Sequence, residues 1–380
     1  MVPLLDVNAQ NHPLEAEFIA AFERVFKVGH FIMGEEINRI EHGLAQLTES
    51  KHCVSVSSGT DALLLALMTL DICPGDEVLV PAFTFFATAG CVCRTGATPV
   101  FVDVCPVSFN IDLADARAKV TSNTKAIIPV HLFGQCADMD AVLELAQEHG
   151  LRVIEDAAQS IGARYRGKAC GTLGDFGAYS FFPSKNLGGF GDSGALVTQN
   201  DALADKARAL RNHGMQPKYF HHLVGANFRM DALQAAMLGV KLPHYAAYCQ
   251  GREENAKYYT QQLLKHLGFE QANPAHCQNL NAQRQWAEEA GAQVVLPVPC
   301  PYNEHIWNQF TLRVLGEGRR DALREHLAGR QIGCEIYYPL TMDQQPCFQH
   351  LPETSRSGCS TAHQLAKEVI SIPIYPELTV

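Results

Sequence analysis

The stretch that decides the fold class is residues 53–70, which read CVSVSSGTDALLLALMTL. In residues 53–57 apolar and small residues alternate, and a short run of this kind favours a β-strand. Residues 61–70 then carry leucines at the spacing of one helical face, at Leu63, Leu64, Leu67 and Leu70. A strand that leads directly into a helix is the repeating unit of an α/β protein.

The same alternation continues along the first half of the chain. Short apolar runs rich in β-branched residues predict strands at residues 78–80, 99–104, 126–130 and 152–155. Helices are predicted at residues 86–93 and 138–149, and Gly150 follows the second helix where a left-handed residue is favoured. Strands this apolar have no face suited to water, so the pattern predicts a mostly parallel sheet covered on both sides.

The pattern changes after residue 178, and this change predicts the domain organisation. Strands are expected at residues 178–182 and 195–198, and a glycine-rich loop joins them. A helix at residues 201–213 and a polar loop at residues 215–229 follow. A smaller unit follows, in which a helix is expected at residues 252–267 and an irregular excursion at residues 273–301. A strand at residues 309–314 and a helix at residues 320–329 complete this unit. We therefore expect a large domain over residues 1–245 and a small C-terminal domain over residues 246–380.

The charge balance argues against two classes of partner. The 380 residues carry 30 Lys and Arg against 40 Asp and Glu, which is a formal net charge of −10. A chain this acidic has no general field that would attract nucleic acid or an anionic membrane. The longest strongly apolar run, residues 62–70, is far shorter than the roughly 20 residues of a membrane span. We expect neither nucleic acid nor a membrane as a partner.

Cysteine usage and the start of the chain predict a cytoplasmic protein. The thirteen cysteines are scattered with no CxxC spacing, which favours reduced thiols over a disulfide framework or a zinc knuckle. The first residues have neither a basic segment nor a sustained apolar core, so they do not resemble a signal peptide. The adjacent pair His221-His222 has no Cys or carboxylate nearby at metal-ligand spacing. We expect no metal.

Two short motifs near residue 190 match sites that the surrounding sequence does not support. Residues 191–194 read GDSG, the nucleophile tetrapeptide of chymotrypsin-like proteases, which need an all-β double barrel. Residues 189–194 also fit G-x-G-x-x-G, but residues 195–198 continue as a strand, whereas a dinucleotide fingerprint opens a helix. We interpret this stretch as a glycine turn between two strands.

Three stretches carry groups suited to chemistry. Residues 57–63 (SSGTDAL) lie where a strand meets a helix, and the N–H groups there bind anions, although Ser and Thr also cap helices without a ligand. Residues 153–159 (VIEDAAQ) end a strand with Asp156, which is either a ligand group or a cap. Residues 179–189 (YSFFPSKNLGG) embed Lys185 among apolar residues and glycines, where desolvation would lower its pKa and make it nucleophilic.

Together the three stretches supply what one cofactor requires. Pyridoxal phosphate needs a lysine for its aldehyde, a carboxylate that keeps its pyridine nitrogen protonated, and an anion nest for its phosphate. Each part alone is common, but all three in this order are much rarer. We therefore predict that the protein uses pyridoxal 5'-phosphate.

The chain resembles the DegT/DnrJ/StrS-type pyridoxal-phosphate sugar aminotransferases, which have the aspartate-aminotransferase fold (fold type I). The matching motifs span nearly the whole chain, at residues 34–37 (GEEI), 58–63 (SGTDAL), 155–160 (EDAAQS), 183–188 (PSKNLG), 227–230 (NFRM), 337–339 (YYP) and 372–378 (IPIYPEL). The resemblance implies an α/β fold, in which a mostly parallel seven-stranded sheet flanked by helices is followed by a smaller α+β C-terminal domain.

The resemblance also implies roles for residues around the cofactor. Lys185 would form the internal aldimine and shuttle the proton, Asp156 would pair with the pyridine nitrogen, and Gln159 would reach the ring hydroxyl. Phe85 would stack on the ring, with an ordinary core phenylalanine as the alternative. The phosphate would be held by Gly59, Thr60 and Ser180.

Further residues would serve the partner subunit and the substrate. Asn227 would reach the phosphate of the neighbouring subunit, which implies a homodimer with shared sites, although an Asn can also cap a loop turn. Contacts to the sugar or its phosphates would come from Arg229, His305, Asn308 and Tyr337, with core packing as the alternative for Arg229 and Tyr337. Two positions depart from the family pattern, because Asp343 and Asn308 stand where relatives commonly have His.

The reaction implied is transfer of an amino group from L-glutamate to the keto carbon of a nucleotide-linked sugar, for aminosugar or polysaccharide biosynthesis. Gln159 and the residues around Lys185 are similar to the branch that aminates carbon three, whereas the 4-keto branch more often has His in place of Gln159. The alternatives are a 4-keto-sugar or cyclitol aminotransferase, a sugar dehydratase and a non-catalytic regulator. Dehydratases replace the lysine by His, so Lys185 disfavours that branch.

Overall fold

A seven-stranded sheet forms the centre of the computed structural model, which describes residues 1–267, 270–271 and 293–379. Its strands are β1 (His52–Val56), β2 (Glu77–Pro81), β3 (Thr98–Val102), β4 (Thr124–Ile127) and β5 (Arg152–Asp156), and, after the short strands β6 (Arg164–Tyr165) and β7 (Lys168–Ala169), β8 (Phe176–Ser180) and β9 (Gly194–Thr198). Their order across the sheet is β1-β9-β8-β5-β4-β2-β3.

The sheet is mostly parallel, as the alternation of strands and helices predicts. Only β9 runs against its neighbours β1 and β8, and the other pairs in this sheet are parallel. Nearly all residues of these strands are buried, so neither face is left to water. Strand β8 begins at Phe176 and not at residue 178, because Phe176 and Gly177 already pair with β5.

Helices cover both faces of this sheet. Along β2, Val78 and Val80 belong to one core with helix residues such as Leu67, while Leu79 faces a second core that contains Val142. The helices are α1 (Val7–Asn11), α2 (Glu15–Val28), α3 (Glu35–Thr48), α4 (Gly59–Thr69), α5 (Phe86–Arg94), α6 (Leu113–Ala118), α7 (Met139–His149), α8 (Asp201–Arg211), α9 (Ala232–Lys241), α10 (Tyr245–Leu267), α11 (Arg319–Gly329), α12 (Glu353–Arg356) and α13 (Ser360–Glu368). Within the described ranges, none of them has the length and apolar character of a transmembrane helix.

The C-terminal part of the chain forms a second, four-stranded sheet. Its strands are β10 (Glu270–Gln271), β11 (Val294–Leu296), β13 (Phe310–Val314) and β14 (Val369–Ile372), whereas β12 (Asn303–Glu304) pairs with β6 beside β7. Of the irregular excursion expected at 273–301, residues 273–292 lie outside the described residues, and the remainder contains β11. The strand expected at 309–314 is confirmed. The domain boundary at residue 245 stays a prediction.

Helices α2, α3 and α9 are not among the elements predicted from the sequence. Helix α2 buries Phe18, Ala21 and Val25 at the spacing of one helical face and packs there against α9. Its outer face is also apolar, with Phe22 and Phe26 exposed. Apolar residues on both sides of a helix weaken the amphipathic pattern, and this explains why the spacing alone does not reveal α2.

Two cysteines that are distant in sequence, Cys136 and Cys170, lie side by side in the fold. The expectation of reduced thiols stays a prediction. The two residues are 34 positions apart in sequence, and the fold brings their Cα atoms to 6.1 Å. Cys136 follows the loop after β4 and Cys170 follows β7, so their contact depends on tertiary structure and leaves no spacing signal in the sequence.

The buried carboxylate of Glu155 fixes the loop that leads into β8. Its Oε1 accepts hydrogen bonds from the N–H groups of Leu173 and Gly174 at 2.7 Å, and its Oε2 accepts one from Gly171 N–H at 2.7 Å. His131 Nδ1 accepts from the Ala137 N–H, so the ring proton lies on Nε2 and is donated to Glu155 over 2.8 Å. Four donors thus compensate the burial of this charge.

Replacing Glu155 by Gln is expected to destabilise the protein by about 3 kcal/mol, because an amide NH₂ would face two of the four donors in a buried site. Urea unfolding followed by circular dichroism measures the apparent free energy of unfolding. The exposed Glu325→Gln is the matched control, and it should change that free energy by less than about 0.5 kcal/mol. Equal stability of the two variants would show that the network around Glu155 does not hold this loop.

Candidate active site

A cavity of about 450 Å³ opens at the carboxyl ends of the central strands. Asp156 ends β5 and Ser180 ends β8, and these two strands are parallel neighbours, so both residues lie at the same edge of the sheet. The predicted residues that line the cavity are Gly59, Thr60, Phe85, Asp156, Gln159, Ser180, Lys185 and Tyr337. The fold therefore brings the three chemically suggestive stretches of the sequence to one place.

Lys185 lies in the loop that follows β8. A turn closed by the Lys185 N–H and the Phe182 carbonyl at 2.8 Å begins this loop, and the buried Lys241 Nζ donates to the Gly188 carbonyl at 2.8 Å farther along. The Lys185 side chain is partly buried, and removal from water lowers its pKa from 10.5 to about 8, with the Asp156 charge acting in the opposite direction. About a tenth of the amine is therefore neutral, and hence nucleophilic, at pH 7.

Asp156 is a buried carboxylate with two donors from the protein. Its Oδ2 accepts a hydrogen bond from Thr88 Oγ1 at 2.7 Å, and its Oδ1 accepts one from the Ala158 N–H at 3.2 Å. Burial raises the pKa of Asp156, while these hydrogen bonds and the Lys185 charge act to lower it. A negative charge at this depth suits a positively charged ring nitrogen that approaches from the cavity.

The N-terminus of α4 forms a cradle for an anion. The Ser58 side chain caps the helix by accepting from the Asp61 N–H at 3.0 Å, and Gly59 and Thr60 are its first two residues. The N–H groups of a first turn have no partner within the helix and point toward an anion. A Cβ on Gly59 would lie 2.7 Å from Ser180 Cβ, so only glycine lets Ser180 come this close to the helix start.

Hydrogen bonds on both sides fix the amide of Gln159. Its Oε1 accepts from the Phe133 N–H at 2.7 Å, and its Nε2 lies 3.3 Å from the hydroxyl of Tyr338. Phe85 stands at the start of α5 with 58% of its surface exposed, and its ring centre is 6.3 Å from that of Tyr338. Tyr338 is thus a cavity residue that the sequence argument missed, although the motif at 337–339 contains it; Thr84 and Gln309 are others.

Four residues predicted to bind the partner's cofactor or the substrate lie outside the cavity lining. Asn227 is exposed, and the Arg229 guanidinium donates to Asn212 Oδ1 at 2.5 Å. His305 stacks on Trp307 with 4.0 Å between ring centres, and burial lowers its pKa to about 3. Asn308 donates to Gln309, which does line the cavity. The assigned roles of these four residues stay predictions.

One cluster has the residue types of a metal site but not a free histidine nitrogen. Among the described residues, His131, Cys136 and Cys170 each bring a potential ligand atom within 4.8 Å of the others. Both ring nitrogens of His131 are engaged, one by the Ala137 N–H and one by Glu155. The ring therefore has no nitrogen left for a metal ion in this arrangement.

The fold and the cavity define a class of enzyme. A mostly parallel seven-stranded sheet carries, at one edge, a lysine with a lowered pKa, a buried carboxylate and an open helix N-terminus. This combination is that of a pyridoxal-phosphate enzyme with the aspartate-aminotransferase fold. The chain belongs to the DegT/DnrJ/EryC1/StrS aminotransferase family, whose family model matches residues 13–380.

Individual relatives cover almost the whole chain. A pleiotropic regulatory protein of Geobacillus stearothermophilus is 43% identical over 377 residues, which are 99% of this chain and 94% of the relative. The UDP-N-acetyl-3-dehydro-alpha-D-glucosamine 3-aminotransferase of Acidithiobacillus ferrooxidans is 42% identical over 378 residues, again 99% and 94%. The crystal structure of S. venezuelae DesV in complex with a ketimine intermediate matches with a TM-score of 0.88 at 39% identity, covering 100% of this chain and 94% of DesV.

The residues of the cavity fit the cofactor of this family. NtdA from Bacillus subtilis, solved with bound cofactor PMP, is 29% identical with a TM-score of 0.86 over 100% of this chain and 82% of NtdA. In this chain Lys185 would offer the amine, Asp156 would offer the charge for the ring nitrogen, and the start of α4 would hold the phosphate. When bound, pyridoxal phosphate supplies an electron sink for the carbon next to the substrate nitrogen.

The pH dependence of cofactor attachment tests the environment of Lys185. Because the neutral amine reacts, the rate at which the cofactor-free protein attaches pyridoxal phosphate should rise with pH around a midpoint of about 8. Removing the Asp156 charge should lower this midpoint, because that charge stabilises the protonated amine. Stopped-flow absorbance at a series of pH values, with wild type and Asp156→Asn, measures the shift.

Asp192 provides the matched control, because it also lines the cavity but is exposed, and water screens its charge. The Asp192→Asn variant should keep the wild-type midpoint. A midpoint near the ordinary lysine value of 10.5, or the same midpoint in Asp156→Asn as in wild type, would contradict this description of the site.

Proposed function

We propose that the enzyme transfers an amino group from L-glutamate to carbon three of a nucleotide-linked keto sugar. The observation that carries the proposal is that Lys185, with its lowered pKa, lines the same cavity as the buried Asp156 and the N-terminus of α4. The relative from Acidithiobacillus ferrooxidans, named as a 3-aminotransferase of a UDP-linked 3-dehydro sugar, supports carbon three as the acceptor. The product class suits aminosugar and polysaccharide biosynthesis.

Each protein group has a defined task in this proposal. The neutral amine of Lys185 would accept the proton from the carbon next to the substrate nitrogen and deliver it to the aldehyde carbon of the cofactor, a contribution of about 10²–10⁴-fold in rate. Asp156 holds the positive charge of the ring nitrogen, Gln159 binds the ring hydroxyl and Phe85 stacks on the ring. Ser180 and the first residues of α4, Gly59 and Thr60, bind the phosphate.

The sugar nucleotide is assigned to the outer part of the same cavity. Tyr337 lines the cavity, and Asn308 contacts it through Gln309, so both are proposed to touch the sugar. Arg229 and His305 are proposed as further substrate contacts. His305 is partly buried, and its lowered pKa leaves the ring neutral near neutral pH, so its contribution would be hydrogen bonding and not charge.

We also propose that the enzyme is a homodimer with shared active sites. The exposed apolar surface of α2 and of the loop after it supports a large interface, because monomers rarely expose so many aromatic and aliphatic groups together: Ile19, Phe22, Phe26, Phe31 and Ile32. Asn227 is exposed and available to a neighbouring subunit, where it would reach the phosphate. Two chains would then build each site.

The domain boundary and the cellular location are further parts of the proposal. The four-stranded sheet is built wholly from residues after Tyr245, where α10 begins, and this supports domains over residues 1–245 and 246–380. A cytoplasmic location is supported by the scattered cysteines, which have no CxxC spacing.

Other functions within reach of the same fold are weaker candidates. The name of the relative from Geobacillus stearothermophilus favours a regulatory role, but a pure regulator has no use for an amine with a lowered pKa. A dehydratase is disfavoured because Lys185 is present. A 4-keto-sugar or cyclitol aminotransferase would use the same catalytic residues, so only a substrate comparison separates it from the proposed function.

Cofactor absorbance tests the reaction directly. The protein loaded with pyridoxal phosphate should absorb visible light, L-glutamate alone should remove this absorbance, and a 3-keto nucleotide sugar should restore it. Lys185→Ala should lose the covalent attachment and at least about 10²-fold in rate, because the proton carrier is missing. The exposed Lys125→Ala is the matched control and should behave as wild type.

The outcomes separate the candidates. Restoration only by a 4-keto nucleotide sugar, or only by a keto cyclitol such as scyllo-inosose, would reassign the acceptor. Absorbance that no amino donor changes would contradict an aminotransferase and favour the regulator. Release of water from the sugar without amino transfer would favour the dehydratase.

Subunit complementation tests the shared site. Lys185→Ala and Asn227→Asp should each be impaired alone, the second because a carboxylate would repel the phosphate. In co-expressed mixed dimers one site has both wild-type residues, so random pairing should give about a quarter of the wild-type activity. No recovery in mixed dimers, or a monomer in sedimentation equilibrium, would contradict the shared site.

A further inference from the structure

The carboxylate of Asp156 accepts a hydrogen bond from a buried hydroxyl group, that of Thr88. Thr88 is fully buried and is not part of the cavity lining, and its Oγ1 donates to Asp156 Oδ2 at 2.7 Å. Its Oγ1 is also 3.1 Å from the Oγ1 of Thr84, which does line the cavity. Thr84, Thr88 and Asp156 thus form a chain of three polar groups.

The chemistry of the three groups sets the direction of this chain. An ionised carboxylate only accepts hydrogen bonds, so the single hydroxyl proton of Thr88 goes to Asp156. Thr88 can then only accept from Thr84, and the hydroxyl proton of Thr84 points to Thr88. Charge-assisted hydrogen bonds of this kind are shorter and stronger than neutral ones, in agreement with the 2.7 Å from Thr88 to Asp156.

The position of Thr88 in helix α5 strengthens its effect on the Asp156 carboxylate. Thr88 lies in the first turn of α5, where the positive end of the helix dipole stabilises a nearby carboxylate. Phe85 precedes the same turn, so the residue assigned to the ring face and the residue that holds the carboxylate are parts of one rigid element. Burial raises the pKa of Asp156, and the hydrogen bond from Thr88 is the largest effect that lowers it.

We propose that Thr88 is a positioning residue that keeps Asp156 ionised and fixed in rotation for the ring nitrogen of the cofactor, and that Thr84 orients the Thr88 hydroxyl. With Oδ2 held by Thr88 and Oδ1 bonded only to the Ala158 N–H among the described residues, Oδ1 retains acceptor capacity for the ring N–H. This inference rests on the proposed pairing of Asp156 with that nitrogen.

The test compares two ligands that differ only at the ring nitrogen. The cofactor-free protein is titrated with pyridoxal 5'-phosphate and with its 1-deaza analogue, in which a C–H replaces the nitrogen, and the ratio of the two dissociation constants is measured. Wild type should prefer pyridoxal phosphate. Thr88→Val, which keeps the shape but removes the donor, should reduce this preference about tenfold to a hundredfold, with little change for the analogue.

Two further substitutions separate positioning from mere folding. Thr88→Ser keeps the hydroxyl and should restore the preference. The control Thr95→Val makes the same change at the C-terminal end of α5, where the hydroxyl bonds only the Val92 carbonyl among the described residues, and should leave the ratio unchanged. Thr84→Val leaves Thr88 in place and should reduce the preference less than Thr88→Val does; it also serves if Thr88→Val does not fold.

The outcomes distinguish this inference from the function on which it rests. If wild type binds both ligands equally, the pairing of Asp156 with the ring nitrogen is wrong. If wild type discriminates but Thr88→Val keeps the full preference, Thr88 is not a positioning residue. If Thr88→Val does not fold and Thr84→Val keeps the full preference, the hydrogen bonds from Thr84 through Thr88 do not position Asp156. Equal weakening of both ligands by Thr88→Val would indicate a structural role only.

Discussion

The active site depends on the balance between burial and charge at Lys185 and Asp156, because the two effects shift each pKa in opposite directions. Removal from water disfavours the charged forms of both Lys185 and Asp156, and each of the two charges favours the other. The balance leaves the lysine with a pKa of about 8, which makes a reactive amine available near neutral pH. The carboxylate keeps its place because Thr88 and the Ala158 N–H compensate part of its desolvation.

The sheet brings Lys185 and Asp156 into the same cavity. Adjacent residues of a strand point to opposite faces, so Glu155 and Asp156 at the end of β5 serve different purposes. Glu155 binds the backbone of the loop into β8 and the ring of His131, while Asp156 faces the cavity. The parallel neighbour β8 then leads into the loop of Lys185. Glu155, whose hydrogen bonds are all made within the protein, thus supports the loops around the carboxylate that faces the cavity.

Much of this arrangement could be predicted from the sequence, because its signals are local. The strand and helix at residues 53–70 and the isolated Lys185 follow from hydrophobic spacing and from an unusual neighbourhood. Contacts across the fold could not be predicted in the same way. Thr88 reaches Asp156 across 68 positions of sequence, and Cys136 reaches Cys170 across 34. Tyr338 enters the cavity from the C-terminal part, and its residue type alone does not indicate this.

The most direct test of the central claim is to identify the lysine that carries the cofactor. The loaded enzyme is reduced with borohydride, digested and analysed by peptide mass spectrometry. A pyridoxyl group on Lys185 alone is the expected result. Lys241 is the informative competitor, because burial lowers its pKa to about 8 as well, but its amine is committed to the Gly188 carbonyl. Modification of Lys241 or of another lysine in place of Lys185, or no modification, would contradict the account.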